Sequence, residues 1–429
     1  MPETTITIRR VLRTGAVEMP VSFPPQWRIS RIEAAPRFRP PPPETRPAPR
    51  SVAVPRGPLL VVVNDAQRPT PTPWLMGLLD CDFAAPDVRV AIATGCHVPP
   101  TEPELRQICG DFLERVRPRL HIHRAAADPL LHLGRTSRGT PVEVNRILDG
   151  PAAVVCLGSV EPHYFAGWTG GRKSLVPGLA SLETMRANHR LALEPGAAIG
   201  ALEDNPLHLD LVEAVAMVRS RLLAQGAPEP LGVNALVTGG KVRHWHAGPL
   251  LGAVEALALR GRGLFGRHIE LPAPFVLCFV DHPLDRDLYQ ALKGFEHWKT
   301  TVAAGGILVL VADCPAGIGP PTFTQFLDSA QPLADIERRA RVDYRLGDHK
   351  ILNFLRFAAS ERRVWVVSAA LTGRGDLSLP IFDSVSAAIR AAAALLPPSD
   401  RRALVIEDSA TLIPLARDRE RPGEASSVP

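Results

Sequence analysis

Leu59-Leu60-Val61-Val62-Val63 is an apolar run without a polar break. A strand with one wet face alternates apolar and polar residues. An unbroken run reads as a strand buried on both faces of a parallel sheet. It stops at Asn64-Asp65-Ala66-Gln67-Arg68-Pro69-Thr70-Pro71-Thr72-Pro73, and a helix is expected from Trp74. The same order recurs. A second run, residues 88–93, ends in Thr94-Gly95-Cys96-His97, before a capped helix start at Thr101-Glu102-Pro103-Glu104. A third, residues 152–160, feeds Glu161-Pro162-His163. The carboxyl ends of such strands are where α/β sheets bind ligands. Three of them deliver Asp65 and Arg68, His97, and His163. From the residues alone, a ligand role and a structural role weigh equally for each of the first two placements.

The pattern continues with a helix over about 207–225 and a short strand at Ala235-Leu236-Val237. It breaks near 267–274, then restarts with strands at 275–280, 307–311, 364–367 and 403–406. This predicts an α/β protein of two α/β domains with mainly parallel sheets and the active site in the interdomain cleft. Residues 1–270 form the first domain and 271–395 the second. Residues 396–429 are expected to pack back on the first domain, with the last ten or so disordered. Ile6-Thr7-Ile8 and Trp27-Arg28-Ile29 suggest short strands, and Pro40-Pro41-Pro42-Pro43 an extended linker. His121-Ile122-His123 reads as an exposed pair, with metal binding as the alternative. His244-Trp245-His246 reads as a turn.

Bulk properties narrow the classes. At 429 residues the chain can hold two or three domains. A net charge of +5, spread along the chain with only 5% aromatic residues, argues against a dedicated nucleic-acid binder. No apolar run reaches the roughly 18 residues of a membrane helix. The six cysteines show no C-x-x-C pair, which predicts a reduced, cytoplasmic protein without disulfides or a cysteine zinc site.

The chemistry concentrates between His163 and His189, H-Y-F-A-G-W-T-G-G-R-K-S-L-V-P-G-L-A-S-L-E-T-M-R-A-N-H. Gly170 and Gly171 let backbone approach a bound group closely. Lys173 follows. Only five of the 49 basic residues are lysines, so arginine is the default cation here and a retained lysine suggests a need for an amine. Pairing with a phosphate is the blander alternative. The phosphate-loop pattern fails, because Arg172 stands where glycine must precede the lysine.

Taken in order, N-D-A-Q-R-P-T-P-T, T-G-C-H, H-Y-F-A-G-W-T-G-G-R-K-S, A-N-H and L-Y-Q-A-L-K resemble the nickel-pincer lactate racemase family over roughly residues 58–370. The resemblance implies a 2-hydroxy-acid racemase or epimerase. It implies a pyridinium-derived mononucleotide whose two sulfur groups and ring carbon hold nickel in a pincer, supplied by cofactor-assembly enzymes. Lys173 would bond to it covalently, with Asp65, Gly170, Gly171 and Arg172 beside it, and His189 would ligate nickel. His97 and His163 would be the acid/base pair. Arg68, Tyr289, Gln290 and Lys293 would hold a small 2-hydroxy acid. Arg172 departs from the small residue expected there. A non-catalytic cofactor or nucleotide carrier on the same fold is the alternative reading. No nucleic acid or membrane partner is expected.

Overall fold

The computed structural model describes residues 2–34, 52–68, 70–150, 152–238, 240–320, 323, 332–374 and 379–416. The proline-rich linker reading and the disordered tail reading fall outside these residues. The chain forms two compact units. The larger comprises residues 35–264 and 337–349, the smaller 1–34, 265–336 and 350–429.

The larger unit is built on a six-stranded sheet. Its spatial order is Lys241–Pro249, Leu231–Thr238, Ala153–Ser159, Leu59–Asn64, Val88–Ala93 and Leu120–Ile122. All neighbours run parallel except the first pair. The apolar run at 59–63 is buried throughout, as its lack of alternation predicts. Val61 and Val63 face a core with Leu75, Ile92 and Leu105. Leu60 and Val62 face a second core with Leu175, Leu211 and Val215. From Leu59–Asn64 the chain proceeds outward one way, then returns to build Ala153–Ser159 on the other side. The carboxyl ends of these two strands are therefore a topological switch point, where a crevice opens.

The smaller unit has its own six-stranded parallel sheet: Ile381–Phe382, Arg363–Val367, Val302–Val311, Ala273–Phe279, Arg402–Ile406 and Arg28–Ile32. Here the expected domain boundaries need correction. Residues 28–32 pair with 402–406 and residues 266–269 with 413–416, so the N-terminal arm and the C-terminal strands both belong to this unit. The lock is Glu407, only 3% exposed. It accepts hydrogen bonds from the Arg31 guanidinium and from the backbone N–H groups of Arg9 and Ala34. Glu407→Ala removes the acceptor of four N–H donors and leaves Arg31 only its pair with Glu33. We expect a loss of roughly 2 to 4 kcal/mol in the unfolding transition of this unit, read by denaturant melting. An unchanged midpoint would refute the lock.

Two smaller expectations also change. His244-Trp245-His246 lies in the Lys241–Pro249 strand rather than a turn, because Asn234 and Ala235 pair with His246 and Trp245 across the sheet. His123 is buried, not exposed, and its Nε2 lies 3.0 Å from the Ala180 carbonyl oxygen. Among the described residues no helix is long and apolar enough to cross a membrane.

Candidate active site

Asn64 ends its strand and ties three loops together. Its Nδ2 donates to Ser174 Oγ at 3.0 Å, and its Oδ1 accepts from Thr70 Oγ1 at 2.9 Å. Thr70 in turn meets Ser159 Oγ at 3.0 Å. The next residue, Asp65, is 7% exposed, and its Oδ2 lies 2.6 Å from His97 Nδ1. A carboxylate can only accept, so Nδ1 of His97 carries the proton and a neutral ring keeps its lone pair on Nε2. The side chain is 33% exposed, so Nε2 has a route to a ligand. The loop bearing His97 is anchored from both sides. Gly95 N donates to Gly178 O at 2.9 Å, and Thr94 Oγ1 to His123 O at 2.6 Å.

The glycines at 170 and 171 serve a different purpose from the expected cofactor contact. A Cβ on Gly171 would stand 2.8 Å from Cys156 O, and one on Gly170 would stand 2.3 Å from Val254 Cγ2. Gly171 N donates to Asn234 Oδ1 at 2.7 Å. Both missing side chains make room for protein, so the loop can lie directly on the strand ends and present Lys173. Arg172 also departs from its expected role. It is wholly buried, with its guanidinium between Glu255 and Nδ1 of His208. Burial, then the Arg172 and Lys173 charges, push His208 down to about 3, which leaves a neutral ring to accept from Arg172.

Lys173, His163 and His189 gather around Phe165. Lys173 Nζ stands 5.7 Å from its ring centroid, while the His163 and His189 rings lie 4.4 and 5.1 Å away. His189 sits in the last turn of the helix Leu182–Arg190, whose cap is Ser181 Oγ accepting from Thr184 N. A helix C-terminus favours imidazolium. Here burial and then repulsion from Lys173 and Arg68 prevail, and push the ring down to about 3. Its buried Nδ1 makes no well-aligned hydrogen bond among the described residues, and the backbone of Met185 is the one hydrogen-bonding group near the ring. A neutral imidazole with an unused buried nitrogen is what a metal ligand requires. Asn188, the preceding residue, donates to Asp210 Oδ2 at 2.8 Å. Asp210 is wholly buried and also accepts from Thr136 and Thr140, which fixes this helix from below. His163 differs from His97: its Nδ1 accepts from Ala166 N at 3.3 Å, so a neutral ring carries its proton on Nε2. Arg68 is half-buried, and its guanidinium has no carboxylate partner among the described residues.

Thus Asp65, Arg68, His97, His163, Lys173 and His189 all belong to the larger unit. Tyr289, Gln290 and Lys293 lie in the smaller one, half-buried on the helix Leu288–Trp298. Asp287 caps that helix, its Oδ1 accepting from Gln290 N at 2.8 Å. Lys350 Nζ donates to Tyr289 O and stands 3.6 Å from the Tyr289 ring centroid. The metal alternative at His121 and His123 gains Asp128, and the three ligand atoms lie within 4.8 Å of one another. However, Asn145 Nδ2 sits 2.9, 2.9 and 2.6 Å from His121, His123 and Asp128. Its Oδ1 is held by Ile147 N, so the amide nitrogen fills that space. Sequence reasoning missed Phe165, Asp210, Asn234 and His349. Phe165 lies inside the quoted motif; the other three have no local pattern that could mark them.

The family model for the lactate racemase N-terminal domain matches residues 42–200, and that for the lactate racemase C-terminal domain matches 276–413. The chain is 28% identical over 289 residues to a protein named lactate racemase from Thermoanaerobacterium thermosaccharolyticum, covering 65% of each. It is 29% identical over 280 residues to one of that name from Lactiplantibacillus plantarum, covering 62% of each. The matched stretches thus span less than two thirds of either relative. The fold is similar to the lactate racemase apoprotein structure from T. thermosaccharolyticum, with TM-score 0.80 and 21% identity over 96% of this chain and 100% of that one. A Thermotoga maritima structure matches at TM-score 0.62 and 17% identity, over 84% of this chain and 94% of that one.

Proposed function

Since the chain belongs to the lactate racemase family, we propose that it is a 2-hydroxy-acid racemase or epimerase that uses a nickel-pincer pyridinium mononucleotide. The observation that carries this reading is the grouping of Asp65–His97, His163, Lys173 and His189 in one unit, with the two acid/base histidines in opposite neutral tautomers.

The donor set fits the cofactor. His189 would offer a neutral nitrogen to nickel(II). Lys173 offers an amine for the covalent link. Arg68 and Lys173 supply positive charge beside an anionic group. When bound, the pincer cofactor supplies a reversible hydride acceptor. That choice suits the substrate: removing the Cα hydrogen as a proton beside an ionised carboxylate would concentrate negative charge.

The chain's own residues handle the protons. His97 takes the hydroxyl proton on Nε2, and Asp65 holds the ring and stabilises the imidazolium. The product of that half-reaction is a planar 2-keto acid. After it turns over, His163 returns a proton to the oxygen from its Nε2–H. Arg68 holds the carboxylate in forked contact.

The test uses protein loaded by the cofactor-assembly enzymes and a panel of lactate, malate and longer 2-hydroxy acids deuterated at Cα. Chiral analysis should show interconversion of enantiomers with the deuterium retained. Washout of the label into water would replace hydride transfer with proton abstraction. No turnover by protein with a verified adduct would favour the carrier reading.

A further inference from the structure

We infer that His349 is a positioning residue of this site, acting on His163 through Tyr164; the inference rests on the racemase reading. His349 lies in the 337–349 segment, which crosses into the larger unit from the C-terminal half of the sequence. It is 4% exposed. Its Nε2 stands 2.7 Å from the Tyr164 hydroxyl and its Nδ1 2.5 Å from the Tyr344 hydroxyl. A neutral imidazole has one N–H and one lone pair. One phenol therefore donates to the ring and the other accepts from it, and both His349 nitrogens are used.

The far end of this chain is the catalytic histidine. The Tyr164 ring stacks on His163 at 5.2 Å between centroids with only 9° between planes. Phe165 packs edge-on against both, 4.4 Å from His163 and 4.6 Å from Tyr164, and His349 packs against the same Phe165 at 4.7 Å. His349 thus restrains both aromatic rings that pack against His163. It holds Tyr164 by a hydrogen bond and Phe165 by contact. A leucine or phenylalanine at 349 would fill the space but could not hold the phenol. Without that bond the Tyr164 ring can tilt, and His163 loses the fixed plane that aims Nε2 at the substrate oxygen. Misplacement of a reacting group by about 1 Å costs on the order of 100-fold in rate.

The experiment compares full-length parent, His349→Leu, His349→Gln and Tyr164→Phe, each loaded with cofactor and checked for the Lys173 adduct by intact mass. For His349→Leu we expect kcat to fall roughly 10- to 100-fold, KM to stay within about twofold, and the adduct to remain. His349→Gln, which keeps a donor and an acceptor, should recover most of the loss. Tyr164→Phe removes one oxygen from the partner and should reproduce the His349→Leu defect, even if the leucine variant folds poorly. A kcat for Tyr164→Phe within about threefold of the parent would overturn the inference, as would equal losses in the leucine and glutamine variants. A parent that carries the adduct yet racemises nothing would instead overturn the racemase reading, and this inference with it.

Discussion

Lys173→Ala is expected to yield a folded protein of unmodified mass that racemises nothing above background. The fold should tolerate the change because the backbone, not the side chain, anchors this loop. Lys173 N donates to Gly170 O and Ser174 N to Gly171 O, both at 2.9 Å, and neither bond needs the amine. What disappears is the one group here that can form a covalent link through nitrogen. Lys173→Arg sharpens the test. It keeps the charge beside Phe165, but a guanidinium stays protonated and is no nucleophile. Both variants should therefore lose the adduct in intact-mass spectra and fall by at least about three orders of magnitude in kcat/KM. An arginine variant that retained nickel and turnover would reduce Lys173 to a charge and remove the covalent reading.

His97→Ala and His163→Ala should separate chemistry from cofactor loading. Each is expected to keep the Lys173 adduct while losing racemisation by about two to four orders of magnitude, the range of a positioned acid or base. The loss must appear in both directions. Enantiomers have equal free energy, so any change in kcat/KM for one is matched in the other. The two variants should also fail alike, since the base of one direction is the acid of the reverse. Unequal loss, with one variant near parental rates, would show that water or a neighbouring side chain serves one face. Loss of the adduct in either variant would make that histidine part of the cofactor seat.

Much of this was legible from residue order. Unbroken apolar runs identified the central strands because a strand covered on both faces admits no polar alternation. The polar residue types that follow those runs pointed to Asp65, His97 and His163 as candidates. Other features depend on partners far away in sequence. Nothing near Arg172 announces that Glu255 and His208 will enclose it, so its charge read as available to a ligand. Gly170 and Gly171 read as an open cradle because the strand and turn that occupy their missing side chains, at Cys156 and Val254, are remote. His349 escaped notice, since its pairing with Tyr164, 185 residues away, is not predictable from the local pattern. The domain boundaries failed for the same reason: a five-residue edge strand carries too weak a pattern to reveal its partner.

The order in which this chain leaves the ribosome runs against the order in which its sheets close. The strand Arg28–Ile32 is made well before its neighbour Arg402–Ile406, and Arg31 and Glu407 are 376 residues apart. The arm must wait with its hydrogen-bonding edge open while the sheet of the larger unit is completed. The segment carrying His349 likewise arrives only after the rest of its own unit has been synthesised. Neither unit can thus mature from one half of the gene, and separating the halves near residue 270 would strand an orphan edge on each product. Unpaired edges invite wrong partners. Complementation by two co-expressed fragments should consequently succeed only where the break spares both crossings.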